Sequence, residues 1–351
     1  MNERLDARAL LPLRDRVSAP IEARLPADAE GLRWRRIARE DAALLLTLQR
    51  SCDAVDAPKS VTTAEEIEEI YDTPGLDLAT DTAIAIDEGG AAVAYGMATL
   101  GDEHATVVWL SLDGGVHPDR RGEGIGAALL AWLEARGRQI LATRDERLPG
   151  WLSTGAEEHS TGAIALMHRH GYETKRWWLE LERPLHEPLP DVALDPSVRL
   201  EPYGEWREAT RRAYNEAFRD HWGSQPASER EWVKEEKKAG ARPDLSFVAI
   251  APGADGAEEV VAFVISEVTP EDWEARGSSF GYIELLGVRK AWRGRGLAPA
   301  LLVRAMAGFR AEGLAAAVLD VDAESLTGAV VLYERLGFRT VSRSVSLVKE
   351  V

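Results

Sequence analysis

The stretch RGEGIGAALL (residues 121–130) carries three glycines in its first six positions and then turns apolar. It returns 172 residues later as RGRGLAPALL (293–302). A second pair of similar segments, TGAIALMHRHGY (161–172) and TGAVVLYERLGF (327–338), follows in the same order. Two ordered matches indicate an internal duplication. The sequence therefore predicts two copies of one domain.

The duplication divides the chain of 351 residues into an extension and two copies. Residues 1–30 form the extension, to which we assign no function, and the copies span 31–187 and 195–351. The joint HEPLPDVALDP (186–196) is rich in proline and acid, as expected of a linker. A chain of this length suits two domains, each large enough to bury a core.

Each copy has the same alternation of apolar strand patterns and helical periodicity, which predicts a mixed α/β domain. A strand runs into each glycine loop, over 106–116 and 280–288, and a helix follows the loop. A further strand is clearest at 315–323, and FRTVSRSVSLVKEV (338–351) is expected to form a last strand pair.

Composition excludes several classes of partner. The chain has 42 Lys and Arg against 59 Asp and Glu, a formal charge of −17, which argues against nucleic acid and anionic membranes. The N-terminus has no apolar signal core, and no long apolar run predicts a membrane helix. The only cysteine, Cys52, allows no internal disulfide and is expected to be buried. We therefore expect a cytoplasmic protein.

A metal site is not expected. His168 and His170 are close together in MHRHGY, but no third ligand accompanies them.

The glycine loops have the properties of an anion site. A helix begins with N–H groups that lack intrahelical partners, and glycines before it let the backbone approach an anion. A pyrophosphate fits this geometry, although a structural turn or another nucleotide site fits as well. The loops lack the G-x-x-x-x-G-K-[ST] pattern of Walker A, and their glycine spacing differs from a Rossmann loop.

The loops resemble the signature of the GNAT superfamily of acyl-CoA-dependent N-acetyltransferases, Arg-x-x-Gly-x-Gly/Ala. The superfamily's Leu-Tyr-x-x-x-Gly-Phe motif matches residues 332–338 in full. The resemblance covers the chain as two tandem domains. It implies a mixed, mostly antiparallel sheet flanked by helices in each domain, and acetyl-CoA as co-substrate.

The resemblance also implies the residues that bind coenzyme A. Arg293 would frame the loop, the backbone near Leu286 and Val288 would polarise the thioester carbonyl, and Ser325 would either contact pantetheine or cap the last helix. Whether the first copy also binds is left open. The expected cofactor-binding residues are Leu286, Val288, Arg293, Gly294, Arg295, Gly296, Leu297, Ala298 and Ser325, with Val116, Arg121, Gly122, Gly124, Ile125 and Gly126 as the open second set.

Catalytic residues are expected in the second copy alone. By the same resemblance, Tyr333 would protonate the leaving thiolate and Glu284 would act as the base for the amine. The first copy has Met167 and Leu112 at the corresponding positions. We therefore expect the second copy to be the catalyst.

We expect the acceptor to be a small molecule with a primary amine. Asp220, His221 and Trp222 could seat its cation, although an ordinary loop with a packed tryptophan explains them equally well. Narrower alternatives are mycothiol synthase and acetylation of an amine-bearing antibiotic. An alternative of another class is a non-catalytic acyl-CoA-binding module. A monomer and a homodimer both fit the sequence.

Overall fold

A computed structural model describes residues 10–28, 31–57, 59–101, 103–253, 256–325 and 328–351. Contacts divide the chain into two units. The first comprises the chain up to Lys175 together with Val345–Val351, and the second comprises Arg176–Ser344.

The first unit has the strand order β1-β2-β3-β4-β5, with the end of the chain beside β5. Neighbouring strands are antiparallel except β4 and β5, which are parallel. Its elements are α1 (Leu13–Arg16), β1 (Arg33–Arg35), α2 (Ala42–Asp56), α3 (Ala64–Tyr71), α4 (Leu78–Asp81), β2 (Thr82–Ile86), β3 (Ala92–Leu100), β4 (Val108–Val116), α5 (Ile125–Leu141), β5 (Gly150–Glu157) and α6 (Thr161–Arg169).

The second unit repeats this order as β7-β8-β9-β10-β11, with β6 beside β11. Among the described strands of this unit, only β10 and β11 are parallel neighbours. The elements that complete the chain are β6 (Glu173–Pro184), β7 (Arg199–Pro202), α7 (Arg207–Ala217), α8 (Glu229–Glu236), β8 (Phe247–Pro252), β9 (Glu258–Glu267), α9 (Trp273–Arg276), β10 (Phe280–Val288), α10 (Leu297–Ala311), β11 (Ala316–Asp322), α11 (Ala329–Arg335) and β12 (Arg339–Glu350).

These units confirm the predicted fold class, a mixed and mostly antiparallel sheet flanked by helices in each of two domains. Burial explains why the middle strands of the second unit are continuously apolar, because Val248, Val261 and Phe263 on β8 and β9 are fully buried. A strand covered on both faces reads as a continuous apolar run. Helix α10 packs its apolar side, including Leu301 and Phe309, into the core that contains Val261, whereas Val248 and Phe263 belong to a second cluster.

The last strand of each copy does not stay within the domain bounds predicted from the duplication. The segment 176–184 of β6 belongs to the second unit and pairs with β11. Val345–Val351 belong to the first unit, where the Val351 N–H donates to the Gly150 carbonyl at 3.0 Å. The expected last strand pair is one strand, β12, because no turn interrupts its alternation.

The described part of the N-terminal extension packs on the first unit. Leu13 is fully buried, and its N–H donates to the Glu146 carbonyl at 3.0 Å. The indole of Trp132 on α5 donates to the Ala23 carbonyl at 3.2 Å. Residues 1–9 and 29–30 lie outside the described residues.

Candidate functional site

Strand β10 parts from its parallel neighbour half-way along its length. It pairs with β11 only from Phe280 to Ile283, whereas β11 continues beside β6 as far as Asp322. On its other side β10 stays paired with β9 up to Val288. Leu286 and Val288 thus lie where one edge of the strand faces an opening. Backbone amides at such an edge are available to a ligand.

Glu284 sits at an irregularity where the strands part. The register between β10 and β9 shifts between Ile283 and Leu285, so Glu284 is an extra residue on β10. A bulge of this kind re-aims a side chain. Glu284 is open to solvent, yet it forms part of the wall of a cavity. The surrounding protein raises the pKa of its carboxyl by desolvation; Lys238 opposes this shift, and two nearby carboxylates reinforce it.

The cavity has a volume of about 200 Å³ and combines aromatic rings with carboxylates. Its walls come from α7, α8, the segment after α8, β9 and β10. The residues that define its chemistry are Tyr203, Tyr214, Trp232, Glu231, Glu235, Glu236, Arg242, Glu267 and Glu284. Apart from Glu284, the sequence analysis missed them. The one available signal was the helical spacing that puts Glu231 and Glu235 on one side of α8.

The glycine loop before α10 has the geometry of an anion site. Gly294 and Gly296 have φ of +77° and +76°, a region that favours glycine. Gly296 is the N-cap of α10. Within the described chain, the amides of 294–298 donate to no backbone carbonyl, and the first such bond is from Ala300 to Gly296. Leu297 and Ala298 therefore offer free N–H groups at the positive end of the helix dipole.

Arg293 holds this loop in place. Its Nε donates to the Val288 carbonyl at 3.3 Å, and its Nη2 donates to the Ala217 carbonyl at 3.0 Å. Arg293 thus joins the loop to the ends of β10 and α7. Within the described residues no carboxylate pairs with its guanidinium, so its charge is available at the loop.

Arg295 lies beside the same loop. Its guanidinium carbon is 4.5 Å from the centre of the Trp292 ring, and its nearest acid, Asp195, is 3.9 Å away. The side chain is about half exposed, so this ion pair is weak.

Tyr333 lies on α11 and is only 7% exposed. Its ring meets the ring of Phe338 edge-on, with centroids 5.9 Å apart. Burial raises the pKa of the Tyr333 hydroxyl to about 12. The hydroxyl therefore stays protonated at neutral pH.

Ser325 is not the cap of the last helix. Helix α11 begins at Ala329 with Gly328 as its N-cap. Ser325 instead lies in the turn after β11, where its N–H donates to the Asp322 carbonyl at 3.0 Å and its carbonyl accepts from Gly328 at 3.3 Å. The N-cap interpretation was wrong because the helix starts one turn later than its sequence indicates.

The three residues expected at the acceptor are not among the lining residues of the cavity. Asp220 is exposed, with its carboxylate 3.8 Å from Lys290 Nζ. His221 lies between the rings of Trp178 and Phe218 and, because it is desolvated there, has a lowered pKa. Trp222 has the guanidinium of Arg176 4.9 Å above its ring.

Family models match both units. The acetyltransferase (GNAT) family model matches residues 206–338, and an acetyltransferase (GNAT) domain model matches 79–174. A mycothiol acetyltransferase from Frankia casuarinae is 32% identical over 79% of this chain and 78% of its own length. The chain belongs to the GNAT family of acetyltransferases. It is therefore an acyltransferase, and its co-substrate is acetyl-CoA.

Two solved structures match this GNAT chain over most of its length. A GCN5-related N-acetyltransferase from Sphaerobacter thermophilus is 28% identical, with a TM-score of 0.70 over 92% of this chain and 97% of that one. A tandem GNAT protein from the clavulanic acid biosynthesis pathway is 18% identical, with a TM-score of 0.66 over 91% and 98%. The second likeness concerns the fold alone.

The first GNAT unit keeps the backbone of the loop but not its charge. Gly122 and Gly124 have φ of +83° and +86°, and Gly124 is the N-cap of α5, whose first residues are Ile125 and Gly126. Arg121 donates to the Val116 carbonyl at 3.1 Å, as Arg293 does in the second unit. Unlike Arg293, it also forms a two-pronged ion pair with Asp56, at 2.8 and 2.6 Å.

The first unit also carries a carboxyl on the strand that corresponds to β10. Strand β4 pairs with β3 without a shift in register, so Leu112 is buried and the next residue, Asp113, lies near Tyr95. Burial raises the pKa of Asp113 to about 6. The inference that this copy has no carboxyl to match Glu284 is therefore incomplete.

Other polar groups of the first unit have local partners. Burial raises the pKa of the Cys52 thiol to about 11, which makes it a poor nucleophile. His168 lies 3.1 Å from the Thr174 hydroxyl, and His170 is 3.9 Å from Glu134. The described residues include no group of three or more His, Cys, Asp or Glu placed to hold a metal. No helix within the described ranges is both long and apolar enough to cross a membrane.

Proposed function

We propose that the second unit transfers the acetyl group of acetyl-CoA directly to a primary amine of a small molecule, without an acyl-enzyme. The observation that carries this proposal is the position of Glu284. Its carboxyl lies in a cavity wall at the point where β10 parts from β11. The amide loop before α10 and the buried Tyr333 lie in the same unit.

The loop fits the anionic end of acetyl-CoA. The free amides of Leu297 and Ala298 lie at the positive end of the dipole of α10. Arg293 adds a cation that has no acidic partner among the described residues. When bound, acetyl-CoA supplies a thioester carbonyl that an amine can attack. The open edge at Leu286 and Val288 offers N–H groups to polarise this carbonyl.

Glu284 would take the proton that the acceptor ammonium must lose before it attacks. An alkyl ammonium has a pKa of about 10, so little free amine exists at neutral pH. A carboxylate with a raised pKa is a better base than an ordinary one, provided that it remains ionised at the working pH. Tyr333 would then give its proton to the departing thiolate, since its hydroxyl stays protonated in the buried site.

A second candidate is mycothiol synthase activity in this unit. Several relatives carry the name mycothiol acetyltransferase, among them one from Parafrankia that is 30% identical over 66% of this chain and 73% of its own length. On either reading we propose that the first unit is non-catalytic, because Met167 cannot replace Tyr333 as a proton donor.

Calorimetric titration with acetyl-CoA tests the proposal, using the parent chain and two matched variants, Gly296→Asp and Gly124→Asp. Each variant puts a carboxylate into one loop, where it repels pyrophosphate. We expect Gly296→Asp to abolish binding and Gly124→Asp to leave it unchanged.

Thiol release with a panel of primary amines follows the titration. Turnover by the parent and by Gly124→Asp, but not by Gly296→Asp, would support transfer in the second unit. Binding that survives Gly296→Asp and is lost in Gly124→Asp would move the site to the first unit and overturn the proposal.

A further inference from the structure

Glu284 depends on its surroundings to act as a base at neutral pH. Burial raises the pKa of its carboxyl, and a carboxyl that is already protonated cannot accept the proton of an ammonium. Among the residues that the structure describes, no cation forms an ion pair with this carboxyl. A charge that keeps Glu284 ionised must therefore act on it from a longer distance.

The groups that act electrostatically on Glu284 belong to several elements. They are Tyr214 of α7, Glu235 of α8, Lys238 of the segment after α8, Tyr282 of β10 and Asp320 of β11. Both tyrosines are neutral at neutral pH, because burial and nearby carboxylates raise their pKa values. The two acids oppose the ionisation of Glu284 when they are charged, and Lys238 favours it.

The remaining charged groups of the cavity wall do not replace Lys238. They are Glu231, Glu236, Arg242 and Glu267. Arg242, the one cation in the described lining, is paired with Asp244 at 2.6 Å, and Asp244 is outside this lining. Lys238 is therefore the cation whose charge reaches Glu284.

The backbone fixes the segment that carries Lys238 beside the sheet. The Lys238 carbonyl accepts from the Ala241 N–H at 3.0 Å. Ala241 in turn forms an antiparallel bridge with Glu267 of β9, the strand that pairs with β10. Lys238 is thus held across β9 from the strand that carries Glu284.

A carboxylate of the cavity wall holds the ammonium of Lys238. Glu235 forms the ion pair, and Glu267 and Glu284 line the same cavity as Glu235. Burial lowers the pKa of Lys238, but the hydrogen bond to Glu235 and the charges of Glu267 and Glu284 outweigh burial and raise it. The ammonium therefore stays charged at the edge of the cavity. Its side chain is about one-third exposed, so water screens this charge only in part.

We propose that Lys238 is a positioning residue for the base: its ammonium, tied to Glu235 at the edge of the cavity, keeps the carboxyl of Glu284 ionised for the acceptor. This inference rests on the proposed acetyl transfer. Lys238 itself takes part in no bond-making step and contacts neither reactant. An ionised Glu284 takes the proton of the acceptor ammonium, so the charge of Lys238 extends the working range of the base towards lower pH.

Direct titration of Glu284 in the full chain tests this role without any acceptor. Glutamate side-chain carboxyls are labelled with ¹³C, and the resonance of Glu284 is the one that disappears in Glu284→Gln. Lys238→Met should raise the pH midpoint of this resonance by about 1 pH unit, the order by which a nearby cation lowers the pKa of a carboxyl. Lys238→Arg keeps the charge and should keep the midpoint. Lys237→Met removes the exposed lysine next to it and is the matched control, with an unchanged midpoint.

The same variants are then compared by the pH dependence of kcat/KM, with acetyl-CoA and the primary amine of the panel that reacts fastest. The acid limb should move to higher pH in Lys238→Met, by the same amount as the midpoint, and stay in place in Lys238→Arg and Lys237→Met. A residue needed only for folding would lower activity at every pH instead. Lys238→Gln repeats the loss of charge with a polar side chain and replaces Lys238→Met if that variant does not fold.

The two measurements separate this role from the acetyl transfer. An unmoved midpoint in Lys238→Met, with amines still acetylated, overturns the role of Lys238 and leaves the transfer standing. An equal rise in Lys237→Met also overturns it, because any lysine charge would then have the same effect. A raised midpoint together with no acetylation of any amine, although acetyl-CoA binds, overturns the acetyl transfer and with it the part that Lys238 has in the reaction.

Discussion

The two glycine loops have the same backbone conformation but differ in net charge, because the charges of the first loop balance and the second loop is positive. In the first, Asp119 and Glu123 balance Arg120 and Arg121, with Arg120 bonded to Glu123 at 2.9 Å. The corresponding stretch of the second loop carries cations and no acid, namely Arg289, Lys290, Arg293 and Arg295.

This difference indicates that the backbone conformation of the loop and its ability to bind a ligand have separate requirements. The positive φ values and the helix N-cap are equal in both loops, because both must turn from a strand into a helix. Phosphate binding needs the same amides plus a favourable field. Charge around the glycines therefore distinguishes the two loops better than the glycines do.

The largest effect is expected from Glu284→Gln, which removes the proposed base. General bases contribute about 10²–10⁴-fold to rate, so kcat/KM for the amine should fall by that order near neutral pH. Parent activity should drop as pH falls through the Glu284 pKa, which lies above the usual carboxyl range. The variant should approach the parent at high pH, where free amine is abundant, and again below the Glu284 pKa, where the carboxyl of the parent is itself protonated.

Asp113→Asn is the matched control for this pH profile, because Asp113 is the corresponding carboxyl of the first unit. Its activity should follow that of the parent at every pH. A Glu284→Gln profile that overlays the parent, or a loss in Asp113→Asn instead, would contradict the assignment of the base.

The next effect is expected from Tyr333→Phe, which keeps the ring packed on Phe338 and removes the hydroxyl. Loss of the general acid should lower kcat by about 10²-fold. Acetyl-CoA affinity, measured by calorimetry, should change little. Met167→Leu at the corresponding position of the first unit should leave kcat unaltered, and an unchanged kcat in Tyr333→Phe would remove this tyrosine from the mechanism.

A smaller effect is expected from Arg295→Glu, which moves the charge of the second loop towards that of the first. An exposed charge contributes up to about 1 kcal/mol, so the Kd for acetyl-CoA should rise by about 5-fold or slightly more. The rise should shrink at high salt. Glu123→Arg should leave the affinity of the second unit for acetyl-CoA constant. Tighter binding that saturates at two equivalents of acetyl-CoA would show that charge alone prevents binding at the first loop.

The sequence was sufficient for the fold and for the loop, because both depend on local patterns. Strand–glycine–helix order and the repeat were visible in RGRGLAPALL, and in the structure Gly296 is the N-cap of the helix that follows the loop. The bulge at Glu284 was not predictable, since it depends on the register with β9. For the same reason, aligning the two copies paired Glu284 with Leu112 and overlooked the carboxyl of the next residue, Asp113.

The cavity beside Glu284 was missed for a different reason. Its carboxylates are spread over α8, β9 and β10, and in the sequence each is an ordinary glutamate of an acidic chain. The loop residues Asp220, His221 and Trp222 drew attention because an aromatic residue and charges are adjacent there. Tertiary packing assigns those three to other contacts.

The division of the last strands has a consequence for the order of folding. The first unit includes Val345–Val351, which the ribosome makes only after the whole of the second unit. The edge of β5 must therefore wait for a partner some 190 residues downstream, and pairings of such high sequence separation form slowly. Until then the first unit exposes an unpaired strand edge during synthesis, the kind of surface that invites aggregation and chaperone binding.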